Sequence, residues 1–186
     1  MIVLDPGHGG IDPGAMCGGV KEASLALIYA LTLAGELARL GIPCTLTRER
    51  DEMPGGGTLE DGLTFRAQVA NRLQARAFVS LHMNASSAPS ARGLWLLHAA
   101  GAPGGRALAE TLEAELGGMV LPDASIHTHD RRLAVLRRTK MPACLIELGY
   151  LTNAEERAEL LHVAHLRSFV ERCARALNYW LAGGHA

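Results

Sequence analysis

Three apolar runs of this chain end in, or lead straight into, a side chain that can bind a metal or move a proton. "IVLDPGH" reaches His8, "AFVSLH" reaches His82 and "ACLIE" reaches Glu147, while Glu22 opens a long apolar segment. Two neutral imidazoles and one carboxylate, with a fourth position left to water, are the ligand set of a catalytic zinc site of the His2Glu type. A second glutamate would then be free to act as a base. Structural zinc sites close all four positions, commonly with cysteine. Cys17, Cys44, Cys144 and Cys173 stand beside neither histidine and form no C-x-x-C pair, so they are expected as buried free thiols.

Each of the four residues also has an explanation without metal. His8 in a glycine-rich turn and His82 at a strand end can serve to satisfy backbone groups, and Glu22 at a helix N-terminus gains roughly 0.3–1 kcal/mol from the helix dipole. Glu147 resists such an explanation, because a carboxylate closing an apolar strand is costly to bury unpaired. Asp5 and Asp12 flank His8 but belong to Asp-Pro pairs, so they read as braces of the turn in preference to ligands. His127 and His129 in "SIHTHD" read as solvated loop histidines, with a substrate-facing role as the alternative, and His98, His162, His165 and His185 take no role. The glycines of "DPGHGG" suggest a phosphate cradle, but the chain carries no G-K-[ST] and no G-x-G-x-x-G.

The elements that would position these groups follow from the apolar patterning. Short apolar runs at 2–4, 42–48, 77–81, 93–98 and 143–147 predict strands, with a further short one at 134–136. The spacing predicts helices over 22–40, with Gly41 past its end, from Thr58 to 76, and over 105–116, 154–161 and 165–181. Strands alternating with helices imply an α/β domain: a mixed, mostly parallel central sheet of about six strands with helices on both faces. In such sheets ligands bind beyond the carboxyl ends of the strands, so His8, His82 and Glu147 would arrive at one edge, and Glu22 could return to it.

Composition sets outer bounds. A chain of 186 residues, 48% hydrophobic, suits one domain over residues 1–186 with a real core. A formal net charge of -1 supplies no general field for nucleic acid or an anionic membrane surface. The apolar stretch at 23–35 is too short to span a bilayer. No signal peptide is recognisable at Met1, so synthesis in the cytoplasm is expected.

At these residues the sequence resembles the zinc-dependent N-acetylmuramoyl-L-alanine amidases of the amidase-3 family. The resemblance rests on "IVLDPGHGGIDPGA", Lys21-Glu22, Leu46 to Arg48, Arg66, Ala70-Asn71, "SLHMNA" at 80–85 and "MPACLIELGYLTN" at 141–153, in the family's order along nearly the whole chain. It implies a six-stranded mixed sheet, one Zn2+ held by His8, Glu22 and His82, and Glu147 as the catalytic glutamate. The implied substrate is peptidoglycan, cut at the amide joining the lactyl group of N-acetylmuramic acid to L-alanine of the stem peptide. Residues 130–136 read "DRRLAVL", shorter than the Arg-Gly-Val-Lys type of stretch common in the family, so substrate contacts from that loop are not carried over. Residues 99–147 are too few for the autoinhibitory helix of the division-associated members. A monomer needing no activator protein is therefore expected, acting on the cell wall as a phage or prophage endolysin or as the catalytic part of a secreted enzyme. The alternatives are a zinc peptidase cutting within the stem, a non-catalytic wall-binding module and, from a different class, a nucleotide-binding α/β protein.

Overall fold

The structure, a computed structural model, describes residues 1–119 and 126–184; His185 lies outside them. Strand β1 (Ile2–Pro6) is followed by a hairpin of two short strands, β2 (Met16–Cys17) and β3 (Val20–Lys21), and by helix α1 (Glu22–Arg39). Next come β4 (Cys44–Leu46), α2 (Leu59–Arg72), β5 (Ala77–Asn84), β6 (Leu94–Ala99) and α3 (Pro103–Leu116). The chain continues through β7 (Ile126–Arg131), α4 (Ala134–Arg138), β8 (Ala143–Tyr150), α5 (Ala154–Leu160) and α6 (Val163–Leu181).

The main sheet has six strands in the order β4-β1-β5-β8-β6-β7. β4, β1, β5 and β8 run parallel; β6 is antiparallel to β8, and β7 is parallel to β6. The central strands β1, β5 and β8 read as nearly continuous apolar runs because both of their faces are covered. Ile2, Leu4, Val79, Leu81 and Ile146 pack with α1, α3 and α6 on one face. Val3, Phe78, Leu97 and Leu145 face the opposite way into a second cluster that includes Ala70 of α2 and Val135 and Leu136 of α4.

Helix ends follow their local chemistry. Thr58 and Asp61 form a reciprocal capping box at the start of α2. Past α1, Gly41 takes φ 71° and its N–H donates to Ala38 O, so glycine stands where the chain must enter the left-handed region.

Two expectations are corrected. Residues 134–136 form part of helix α4, not a strand: three apolar residues are too few to set a period, and tertiary packing of Val135 and Leu136 decides. Residues 126–131 form edge strand β7, not a loop, paired along its length with β6. Its run of His, Thr, Asp and Arg hides a strand whose pairing comes from one side only.

Candidate active site

Because β1, β5 and β8 are neighbours and parallel, their C-terminal ends open on one edge. Pro6 stands opposite Leu81, and His82 opposite Glu147. The β2–β3 hairpin turns the chain so that Glu22, the first residue of α1, returns to this edge, with its N–H bonded to Ala15 O at 2.9 Å.

Glu22 is the hub. Its Oε1 lies 3.0 Å from His8 Nε2, 2.9 Å from His82 Nδ1 and 3.1 Å from the Met83 N–H, which donates to it. Oε2 accepts from the Ala15 N–H at 2.8 Å. Burial alone would raise this carboxyl's pKa, but the hydrogen bonds and charges of His8 and His82 pull it far below the usual carboxylate range. The imidazoles of His8 and His82 meet edge to face, with centroids 4.8 Å apart. Burial disfavours protonation of His8, yet Glu22 and Asp12 outweigh it and hold the imidazole above its ordinary value.

One ligand atom from each of His8, Glu22 and His82 lies within 4.8 Å of the other two, and this triad can hold a metal ion. The donor set suits zinc chemistry, two nitrogens and one carboxylate oxygen, and a proton held on His8 would leave as a metal enters. Glu147 of β8 stands opposite His82 in register, and the charges of His82, Glu22 and His8 act on it. Its Oε2 is buried and makes no hydrogen bond among the described residues. Burial pushes its carboxyl up, His82 opposes this, and the charge of Glu22 adds to the rise.

The glycines of the first loop are cut to the imidazoles. A Cβ on Gly7 would come within 2.3 Å of the His82 ring, and one on Gly14, whose φ is 65°, within 2.6 Å of Glu22 Oε2 and 2.7 Å of His8 Cδ2. His8 itself takes φ 57°, a region uncommon for residues with a side chain. Its carbonyl is held by Arg66, and the Gly9 and Asp12 backbones bond reciprocally at 2.8 and 3.2 Å across the turn.

Neither Asp5 nor Asp12 belongs to the triad. Asp12 Oδ2 stands 2.7 Å from His8 Nδ1, while its Oδ1 accepts from Gly14 N–H. Asp5 is 1% exposed and accepts from Arg66 at 2.6 Å, Thr47 at 2.5 Å and Ser80 at 2.7 Å. Arg66 also donates to Pro6 O, and Arg48 to Pro6 O, Gly7 O and Ala23 O, so two buried guanidiniums clamp the loop that carries His8. Sequence reasoning places both arginines in matching motifs without a role. The available signal was a basic residue directly after a strand (Arg48) and one amid the apolar positions of a helix (Arg66).

Beside His8 and His82 lies a cavity of about 250 Å³ bordered by Met53, Leu59, Leu63 and Val135 as well as Asp12 and Arg66. Of the remaining histidines, His129 stacks on Trp95 with centroids 4.8 Å apart, on β7 and β6. His127 pairs in register with Trp95, which itself stands opposite Glu147. The C-terminal motif serves as framework: Asn153 caps α5 through the Glu155 and Glu156 N–H groups, and Asn71 brackets 138–140 through Arg138 O and Lys140 N–H.

Comparison with known proteins bears on the fold and the family. The chain is 35% identical over 169 residues to the probable cell wall amidase LytH of Staphylococcus aureus, covering 88% of this chain and 52% of that protein. It is 31% identical to the N-acetylmuramoyl-L-alanine amidase AmiC of Neisseria meningitidis, covering 95% of this chain and 50% of that one. The chain thus spans about half the length of these curated relatives. The catalytic domain of CwlV, an N-acetylmuramoyl-L-alanine amidase from Bacillus (Paenibacillus) polymyxa var. colistinus, superposes with a TM-score of 0.84 at 28% identity over 97% of both chains. The family model described as N-acetylmuramoyl-L-alanine amidase matches residues 2–179, and with that match over nearly its whole length the chain belongs to this family.

Proposed function

We propose that residues 1–186 form one catalytic domain that hydrolyses the amide between the lactyl group of N-acetylmuramic acid and L-alanine in peptidoglycan, with one zinc ion held by His8, Glu22 and His82. The observation that carries this reading is the convergence of two imidazoles and a carboxylate next to the buried, unbonded Oε2 of Glu147. The bond cleaved is inferred from family membership and from the names of the relatives.

When bound, zinc supplies Lewis acidity at an amide carbonyl and lets a water be deprotonated near neutral pH. His8 and His82 would each offer a nitrogen to the ion, neutral once it is bound, and Glu22 would supply the anionic ligand on a carboxylate already fixed by two backbone N–H groups. Asp12 holds the His8 ring in place from its far side. Glu147 takes the proton of the attacking water on its buried carboxylate and delivers it to the departing L-alanine amine. A positioned acid/base of this kind contributes about 10²–10⁴ in rate.

The enzyme acts on the cell wall, as an endolysin or as part of a secreted amidase, and works as a monomer without an activator. No helix among the described residues is long and apolar enough to cross a membrane. The test is metal analysis joined to activity: one zinc per chain, turnover lost on chelation and restored by zinc. A chain that cleaves peptidoglycan at full rate after complete metal removal would contradict it.

A further inference from the structure

The cavity of about 250 Å³ beside His8 and His82 occupies one flank of the triad. In the sheet, β5 with His82 separates β1 from β8, the strand that carries Glu147. The cavity is bordered by Asp5 of β1, by the loop of His8, by helix α2 and by Val135 of α4, and Glu147 is not among the residues around it. The triad thus has a carboxyl on its β8 flank and an apolar hollow on its β1 flank.

The walls of the hollow are built before any ligand arrives. Met53 sits between two glycines: a Cβ on Gly10 would come within 2.6 Å of Met53 N, and one on Gly62 within 2.7 Å of Met53 Sδ. The Gly10 N–H donates to Asp51 Oδ1 at 2.9 Å, which ties the loop of Met53 to the loop of His8. Leu59 and Leu63 of α2 and Val135 continue the apolar lining. The polar groups at the border are already engaged, Arg66 by Asp5, Pro6 O and His8 O, and Asp12 by His8 and the Gly14 N–H.

Resting on the amidase reading above, we propose that this hollow is the acyl-side subsite: it receives the lactyl methyl and the N-acetyl group of muramic acid, and the stem peptide leaves across β8. Direction is the first argument. A glutamate that hands a proton to the departing amine must come within about 2.6–3.2 Å of that nitrogen. The nitrogen and the acyl carbon diverge from the amide carbon, so with the nitrogen at Glu147 the acyl group points to the β1 flank. Chemistry is the second. The lactyl carboxyl is consumed in the scissile amide, so the sugar half is uncharged and offers methyl groups. The stem half carries free carboxylates, and an apolar wall beside Asp12 disfavours them.

Titration calorimetry on the zinc-loaded protein tests this without turnover, with N-acetylmuramic acid and D-lactic acid as acyl-side ligands and L-alanyl-γ-D-glutamate as the stem-side ligand. The two acids present the same carboxylate and methyl, so the ratio of their affinities isolates the sugar and its acetamido group. Wild type should bind N-acetylmuramic acid about tenfold more tightly than D-lactic acid, the order expected for burying a few apolar carbons. Met53→Ala/Leu59→Ala should cut that ratio to about threefold or less and change affinity for the dipeptide by less than about twofold. Leu59→Ala alone, at a helix-start residue that is 54% exposed, should move the ratio in the same direction by a smaller factor. No preference in wild type, a preference kept by both variants, or a loss that falls on the dipeptide would overturn the proposal. Selective binding of N-acetylmuramic acid by a protein that cleaves no muropeptide would refute the amidase reading and leave the subsite standing.

Discussion

Asp12 Oδ2 stands 2.7 Å from His8 Nδ1, on the far side of an imidazole whose Nε2 faces Glu22 Oε1 at 3.0 Å. The aspartate thus fixes which nitrogen of His8 is presented to the triad. Outer partners of this kind contribute about 10–100-fold in metal affinity. Asp12→Ala is expected to weaken zinc binding by that factor, read by competition with a chromophoric chelator, while the fold, read by circular dichroism, stays. Unchanged affinity would reduce Asp12 to a brace of the turn.

Glu147 and His82 are register partners on adjacent strands but have separate duties. Glu147→Gln should keep one zinc per chain and lose about 10²–10⁴ of the turnover. His82→Ala should lose the metal as well as the activity. Elemental analysis beside a muropeptide assay separates the two, and an active Glu147→Gln enzyme would remove that residue from the mechanism.

Gly14 gives the site its floor. Gly14→Ala places a methyl within the contact distances of Glu22 Oε2 and His8, at a φ of 65° that alanine resists. Loss of zinc is expected even where the variant folds, whereas Gly19→Ala, with nothing within 4 Å of the new Cβ, meets no obstruction beyond its own backbone strain at φ 78°. Metal content of the two purified variants checks this, and equal zinc in both would show that Gly14 is not a constraint on the site.

Asp5 and Arg66 form a buried pair beneath the loop at 2.6 Å. Removing one partner of such a pair typically costs about 3–5 kcal/mol, so Arg66→Ala should lower unfolding stability by that order. Burial alone would raise the Asp5 carboxyl, but Arg66, Thr47 and Ser80 bring it below the ordinary aspartate value. A group lowered in the folded state stabilises above the ordinary range and loses that contribution as pH falls through its folded value. Denaturant unfolding across an acid series should therefore show a stability loss in wild type that is smaller in Arg66→Ala. Parallel curves would contradict the linkage.

How much of this was readable in advance depended on how locally each feature is encoded. The apolar runs ending at His8, His82 and Glu147 reveal β1, β5 and β8, and the crevice rule for parallel strands then collects their ends on one edge. Strand β7 escaped because "IHTHDR" carries one apolar residue, and its pairing with β6 is a tertiary fact. The clamps made by Arg48 and Arg66 escaped for a related reason: they span 41 and 58 residues of chain to reach Gly7 O and His8 O, and no local pattern announces such a bond. Asp12 was readable as a brace, but its grip on His8 depends on the left-handed φ of His8 itself.

The identity of the bond cut is tested most directly by mass spectrometry of purified peptidoglycan digested with the zinc-loaded protein. The expected products are stem peptides with a free L-alanine amino terminus and glycan strands bearing intact lactyl carboxyls. New termini within the stem, with L-alanine still joined to muramic acid, would contradict the assignment.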